Sequence, residues 1–512
     1  MLQVKNLTIS HKKDLREIVS SLSFVLNDGD KAALIGEEGN GKSTLLKLLC
    51  DPGLVEDYVE YSGEIIKNHV VLGYLPQELS GEDSEKSIYE YLSDDPCFWD
   101  MDAGELAVLA RNMGLSHELL YSDQRMGLLS GGEKVKIQFV RILCRKPSLF
   151  LLDEPSNDID IRTLEWLEDF INTCPSPILF ISHDETLLEH TANLILHIEQ
   201  IQRKTKPRQT VARMSYQEYI KQRQASLERQ EQQAVNERKE YDKQQERFRQ
   251  IEQKVEYQQN IISRQSPHGA KLLKKKMHVL KSQEKRFEKE FTDMTKRPET
   301  EDSIFFAFSP DITFPAGKTV LDFQLDRLTV GERILSKGIR LRIIGPRKVC
   351  IVGKNGVGKT TLLKQIAEIL LCRTDLKAAY MPQNYEDLLD LEMTPVEYLA
   401  ASGHKDEITR VRTYLGSMKY TTDEMSHPLR ELSGGQKAKI LLLKISMDGS
   451  NVLILDEPTR NFSPLSNPVI RGMLSQYQGA IISISHDRKY IREVCDTIYE
   501  LDSEGLHPLD TV

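Results

Sequence analysis

The chain is 512 residues long, with 39% hydrophobic residues, 28% charged residues and a formal net charge of −9. That length asks for two to four domains, and the composition is that of a folded globular protein rather than a fibrous or disordered one. No apolar run approaches the ~18 residues of a membrane helix. The opening residues show no signal-peptide pattern. The seven cysteines lack any Cys-x-x-Cys spacing, which points to reduced thiols and away from a zinc site.

In chain order, Val4, Leu7 and Ile9 begin an alternating strand. Ala32-Ala33-Leu34-Ile35 reads as a buried strand that feeds Gly36-Glu37-Glu38-Gly39-Asn40-Gly41-Lys42-Ser43, a match to the phosphate-loop pattern G-x-x-x-x-G-K-[ST]. A helix should start behind it at Thr44. Short apolar runs at Leu149–Leu152 and Ile178–Ile181 have the character of central parallel strands. A first ATPase domain is therefore expected over residues 1–200. A second, over 303–512, repeats the plan. Its strands are Val349–Val352, Val452–Leu455 and Ala480–Ile484, and its phosphate loop is Gly353-Lys354-Asn355-Gly356-Val357-Gly358-Lys359-Thr360. Each loop is followed by Ser-Gly-Gly, then Asp-Glu, then Ser-His-Asp. Ser130 to Glu154 and Ser433 to Glu457 are both 24 residues, and Glu154 to His183 and Glu457 to His486 are both 29. Two ordered sets with matched offsets are a duplication.

Between the copies, residues 201–302 differ in kind. Residues 221–297 hold 20 Lys/Arg against 12 Asp/Glu, so a basic middle separates acidic ends. Leu227, Ala234, Tyr241, Phe248, Val255 and Ile262 recur every seven residues. Beyond the break at Pro267-His268-Gly269, Leu273, Met277, Leu280, Phe287 and Phe291 keep 4-and-3 spacing, with Glu284 in one slot. Two apolar stripes flanking one turn signal predict an antiparallel α-helical hairpin with its tip at about 257–272. No acidic residue lies between Glu256 and Glu284. Tyr257, Ile262, Arg264, His268, Lys271, Lys274, Lys275 and Lys276 are the candidates for RNA contact there. The cations would neutralise phosphates and the apolar tips would meet unstacked bases.

The chemistry follows from the motifs. Phosphate-loop glycines let backbone N–H groups close around phosphate oxygens at a helix N-terminus. The nucleotide candidates are Gly36, Gly39, Asn40, Gly41, Lys42, Ser43 and Thr44 in one copy. In the other they are Gly353, Asn355, Gly356, Gly358, Lys359, Thr360 and Thr361. Lys42 and Lys359 would reach the β- and γ-phosphates of ATP, and the Ser43 and Thr360 hydroxyls would meet Mg²⁺. Asp153 and Asp456 complete the metal shell. Glu154 and Glu457, one residue on, are candidate general bases for the attacking water.

Leu129-Ser130-Gly131-Gly132-Glu133 and Leu432-Ser433-Gly434-Gly435-Gln436 resemble the signature loop of ATP-binding-cassette (ABC) ATPases. Gln77 and Gln383, each in a Pro-Gln step, resemble that family's glutamine loop, which also touches the metal. His183 and His486 resemble its switch histidine. The resemblance implies an α/β fold of two tandem cassettes forming an intramolecular, head-to-tail sandwich in a monomer. Ser433-Gly434-Gly435 would close ATP on the Lys42 loop, and Ser130-Gly131-Gly132 would close ATP on the Lys359 loop. Twin cassettes around a charged helical hairpin resemble the ABC-F family. This implies a cytoplasmic ATPase bound near the ribosomal tRNA exit site, contacting large-subunit rRNA and P-site tRNA and engaging neither membrane nor DNA. The run Glu457-Pro458-Thr459-Arg460-Asn461-Phe462-Ser463-Pro464 resembles the Lsa/Vga antibiotic-resistance branch, which implies protection against lincosamides, pleuromutilins and streptogramin A.

Three departures bear on that expectation. The family's loop after the catalytic Glu ends Asn-His-Leu-Asp. Asn157-Asp158-Ile159-Asp160 keeps the last acid and Asn461-Phe462-Ser463-Pro464 does not, so the two sites are expected to differ in turnover. Neither half has an obvious aromatic upstream of its phosphate loop to stack on adenine. The first cassette has no large inserted arm. Arg460 is open between a contact across the sandwich and a structural role. The alternative function is the ATP-hydrolysing subunit of a membrane ABC transporter, against which an ~80-residue basic linker would be idle. A DNA-maintenance ATPase would carry longer coils inserted within a cassette.

Overall fold

The computed structural model describes residues 1–512 except 14, 202–205, 262–270, 273, 281, 283–285, 288–290, 292, 293, 296, 299–307, 309–311, 313, 332, 401 and 510–512, and gives no side-chain account of 259–261. The chain forms two compact units, one of Met1–Tyr216 with Glu301–Val512 and the other of Gln217–Thr300.

The first unit contains two six-stranded sheets with one strand order. In the first, neighbours run Leu72–Leu75, Leu149–Asp153, Ile178–Ile181, Lys31–Ile35, Leu194–Ile201 and Lys206–Ala212. In the second they run Ala378–Met381, Val452–Asp456, Ala480–Ile484, Lys348–Val352, Thr497–Leu501 and Leu506–Leu509. All pairings are parallel except the last in each sheet. Leu149–Asp153 and Val452–Asp456 are buried at every residue, which is why they are unbroken apolar runs rather than alternating ones. The phosphate-loop helices Lys42–Cys50 and Lys359–Leu371 bury Leu45, Leu46, Leu48 and Leu49, and Leu362, Leu363, Ile366 and Leu370. They pack into the cores that also hold the strands. Smaller antiparallel sheets join Glu17–Leu26, Leu2–His11 and Val59–Lys67 in one cassette, and Thr319–Val330 with Arg333–Ile344 in the other.

The second unit is built on the helix Tyr216–Ile261, 46 residues long. Residues 271, 272 and 274–280 are helical again. Phe248 and Val255 bury against Leu280, with Met277 and Phe287 alongside. Tyr241 packs on Phe287 and Phe291, and Phe248 on Phe287. Glu237 Oε2 accepts from the Thr295 N–H at 2.7 Å. Partners rise in number on one side as they fall on the other, so the two stretches are antiparallel. The seven-residue stripe of Ala234, Tyr241, Phe248 and Val255 forms the buried seam.

Candidate nucleotide sites

Parallel strands deliver the chemistry to one edge of each sheet. The phosphate-loop strand Lys31–Ile35 lies beside Ile178–Ile181, which leads to His183, and Ile178–Ile181 lies beside Leu149–Asp153, which ends on Asp153. Loops at the carboxyl ends of neighbouring parallel strands are where such sheets bind ligands. The second sheet places Gly353, His486 and Asp456 in the same way.

Each phosphate loop is shaped by its first glycine. Gly36 has φ 151° and Gly353 φ 147°. A side chain on either would collide with the carbonyl oxygen of Ile198 or Leu501. The helices that follow start at Gly41 and Gly358, both left-handed, with no side-chain cap. Their first N–H groups are thus kept for an anion. Lys42 Nζ donates to the carbonyls of Gly36 (2.9 Å) and Glu37 (3.1 Å), and Lys359 Nζ to those of Gly353 (2.8 Å) and Lys354 (3.0 Å). Asn40 is buried with its amide on the Ile198 carbonyl at 3.1 Å.

Ser43 Oγ donates to Asp153 Oδ1 at 2.9 Å, and Thr360 bonds to Asp456. Both aspartates are buried, and the second oxygen of each, Oδ2, has no hydrogen-bond partner. Burial lifts the Asp153 carboxyl to about 6 and raises Asp456 as well, against the bonds from Ser43 and Thr360. A buried carboxylate with an orphan oxygen beside a hydroxyl fits a hard divalent cation such as Mg²⁺. Gln77 and Gln383, also expected in the metal shell, use their amide nitrogens on carboxylates. Gln77 Nε2 donates to Glu154 Oε2 at 3.0 Å, and Gln383 Nε2 crosses to Asp158 Oδ1 at 3.2 Å.

Glu154 and Glu457 each have φ 52°, a left-handed turn that is uncommon outside glycine. It aims each carboxylate at the following histidine. His183 Nε2 lies 3.3 Å from Glu154 Oε1, and His486 Nε2 lies 3.6 Å from Glu457 Oε1. The two glutamates titrate in opposite directions. Burial pushes Glu154 up, but the His183 bond and the charges of His183, Lys42 and Arg460 outweigh it and hold its carboxyl below the usual range. Burial and neighbouring Asp456 push Glu457 up to about 8. Burial, with Lys359 nearby, pushes His486 down to about 3.

The two cassettes meet head to tail. Ser130 and Gly131 line a cavity of about 620 Å³ together with Asn355, Gly356, Gly358, Lys359, Thr360, Thr361, Gln383, Asp456, Glu457 and His486. Gly132, just inside the signature helix, sits over Thr163 instead. At the other junction Ser433 and Gly435 face Glu37 and Glu38 of the first phosphate loop around a cavity of about 30 Å³. Lys42, Ser43 and Glu154 do not line that space. Gly39 and Thr44 stay in the first loop and its helix, and Gly434 lies against Glu38.

Arg460, open on sequence grounds, is a contact between cassettes. Its Nη2 reaches Asp158 Oδ2 at 2.7 Å and its Nε reaches Asn157 Oδ1 at 3.0 Å. Counted from the glutamates, Arg460 rather than Asn461 is the counterpart of Asn157, so equivalent positions meet as in a two-fold interface. His183 Nδ1 lies 2.8 Å from the Phe462 carbonyl of the other cassette, whereas His486 Nδ1 has no partner. Sequence reasoning missed Val330, Arg333 and Leu335, which line the large cavity from the hairpin strands upstream of the second phosphate loop. It also missed Arg471, buried with Glu185 of the first cassette in a pair of bonds at 2.6 and 3.2 Å and flanked by Lys489, Glu189 and Glu493.

At the hairpin, Tyr257 is 69% exposed, and Lys271, Leu272, Lys274, Lys275 and Lys276 are exposed as well. Ile262, Arg264 and His268 lie outside the described residues. Among the described residues no helix is long and apolar enough to cross a membrane.

This fold and these paired sites define a tandem ATP-binding-cassette ATPase that hydrolyses ATP with Mg²⁺. The family model described as "ABC transporter" matches residues 19–157 and 336–460, and the chain belongs to that family. Across nearly its whole length it is similar to ABC-F proteins. It is 28% identical to ATP-binding cassette sub-family F member 3 of Homo sapiens, over 96% of this chain and 70% of that protein. It is 28% identical to the ribosome protection protein VmlR of Bacillus subtilis (strain 168), over 99% of this chain and 88% of the relative. A crystal structure of the archaeal ribosome recycling factor aABCE1 with the ribosomal stalk protein aP1 shares the tandem fold, with TM-score 0.60 and 17% identity over 98% of this chain and 90% of that one.

Proposed function

We propose that this chain is a cytoplasmic ABC-F ATPase that binds the ribosome near the tRNA exit site and uses its hairpin to protect the peptidyl-transferase region from lincosamide, pleuromutilin and streptogramin A antibiotics. Its functional parts are the cassettes at 1–200 and 303–512 and the linker at 201–302. The observation that carries this reading is the second unit: two antiparallel helical stretches that leave Tyr257, Leu272 and four lysines exposed. Exposed cations and apolar tips together suit large-subunit rRNA and P-site tRNA. Likeness to a ribosome protection protein over 99% of the chain supports it.

The residues perform the reaction as follows. Gly36, Gly41, Lys42 and the first turn of the following helix bind the phosphates in one site, and Gly353, Gly358 and Lys359 do so in the other. Ser43 with Asp153, and Thr360 with Asp456, would hold Mg²⁺, which when bound neutralises the charge that gathers on the phosphate oxygens. Glu154 and Glu457 orient the attacking water and accept its proton. His183 and His486 hold those carboxylates in place. The signature residues Ser130–Gly132 and Ser433–Gly435 complete each cage from the opposite cassette. Nucleotide thereby favours the closed pairing and hydrolysis releases it.

The test is growth of a susceptible bacterium expressing the chain against a panel of peptidyl-transferase inhibitors. Protection is expected from the wild type. It should be lost on replacing residues 261–272 by a Gly/Ser turn, with basal ATPase retained. Unchanged susceptibility with and without the wild-type chain would refute the reading. The Glu154→Gln/Glu457→Gln variant should bind ATP and cosediment with ribosomes.

A further inference from the structure

The phosphate loops differ at one position that decides what each presents to the opposite signature helix. The fourth-from-lysine residue is Asn355 in the second loop and Glu38 in the first. Asn355 carries no charge, and its Nδ2 donates to the Asp158 carbonyl at 2.5 Å, leaving Ser130 and Gly131 on the wall of the large cavity. Glu38 does the reverse. Ser433 Oγ donates to Glu38 Oε2 at 3.1 Å, and the Gly435 N–H donates to the same oxygen. The adjoining Glu37 pairs with Lys419 of the second cassette at 3.1 Å. The space left there is about 30 Å³ against about 620 Å³ at the other junction.

We propose that Glu38 is a built-in competitor for the γ-phosphate: its carboxylate docks on the signature Ser433–Gly435, latches the first phosphate loop to the second cassette, and must be displaced before ATP can bridge that junction. The inference rests on the sandwich reading above. A carboxylate and a terminal phosphate are both anions that accept hydrogen bonds from hydroxyl and backbone N–H donors at the start of a helix. They cannot share one pair of donors, and their like charges repel in a partly dehydrated cleft. Asn355 imposes no such exchange. The Lys42 junction therefore discriminates between nucleotides by their terminal charge. ADP binds beneath the latch, whereas ATP must break it. The Glu37–Lys419 pair holds the loop in register for Glu38 and contributes less, because it does not touch the signature residues.

The experiment uses the full chain carrying Lys359→Ala, so that only the first site binds, with Mg²⁺ and either adenylyl-imidodiphosphate or ADP as probe in calorimetry. Glu38→Asn and Glu38→Gln should each tighten the triphosphate analogue at least tenfold and change ADP affinity less than about threefold, while Lys419→Met should give a smaller gain of the same kind. Unchanged analogue affinity, or equal shifts for analogue and ADP, would overturn the latch while leaving the sandwich standing. If the Lys359→Ala chain binds neither probe and Lys42→Ala changes nothing, the nucleotide reading itself fails. Two Glu38 variants of different length guard against a local folding fault, since Asn is the residue the second loop already uses.

Discussion

Where the second phosphate loop has Asn355, the first has Glu38. Where the first cassette follows its glutamate with Asn157 and Asp158, the second has Arg460 and Asn461. The two six-stranded sheets keep one strand order, yet these exchanges give the two junctions different contents. One is a roomy cavity that leaves Ser130 and Gly131 of the signature turn on its wall, and in the other a carboxylate occupies the signature donors. The histidines follow suit. His183 is tied across the interface to Phe462, while His486 Nδ1 is left without a bond. A duplicated frame can thus hold two sites of different chemistry, because the frame is set by buried apolar strands and the difference by a few loop residues.

The comparison is tested most severely at the glutamates. Glu154→Gln and Glu457→Gln should each lower turnover at their own site by roughly 10²–10⁴-fold. The residual phosphate release of the two variants should differ, because one glutamate is held ionised by His183 and the other is pushed up to about 8. Equal residual rates would break the asymmetry.

A second test addresses the frame that both sites share. Arg471 and Glu185 are 3% and 6% exposed in their side chains. Arg471→Ala would remove two hydrogen bonds from the buried Glu185 carboxylate, leaving it Lys489 alone, and should cost about 1–3 kcal/mol. Denaturant unfolding of the full chain would read this. The double variant Arg471→Met/Glu185→Leu should recover most of the loss. No loss in the single variant would mean that the cassettes are not held there.

The smallest expected effect is at Arg460. Its partner Asp158 is 52% exposed, so Arg460→Ala should cost only ~0.5–1 kcal/mol. It should appear as a two- to fivefold weaker affinity for a triphosphate analogue at the Lys359 loop, with the Lys42 loop unaffected. An equal loss at both loops would show that Arg460 acts on the whole interface.

Much of this was legible in the sequence. Phosphate loops and Asp-Glu strand ends have local rules, so Gly36, Lys42 and Glu154 could be proposed from their motifs and Ser130 from a family resemblance, and the seven-residue stripe marked the seam of Phe248 and Val255. What was not legible depends on contacts made across hundreds of residues. Nothing near Arg460 names Asn157, and nothing near Glu38 names Gly435. The carboxylates that accept from the Gln77 and Gln383 amide nitrogens, Glu154 in its own cassette and Asp158 in the other, were equally out of reach of the local motif. Arg471 looks like any helix-surface cation until Glu185 arrives from the other cassette.

The 46-residue helix Tyr216–Ile261 has a mechanical consequence. At 1.5 Å per residue it is about 70 Å long. Tilting such a rod by about 5° about its first turn sweeps its far end through about 6 Å, nearly the width of a nucleobase, by the same geometry. Leverage of this order turns a small tilt at the helix base into a displacement on the scale of a bound small molecule at its far end.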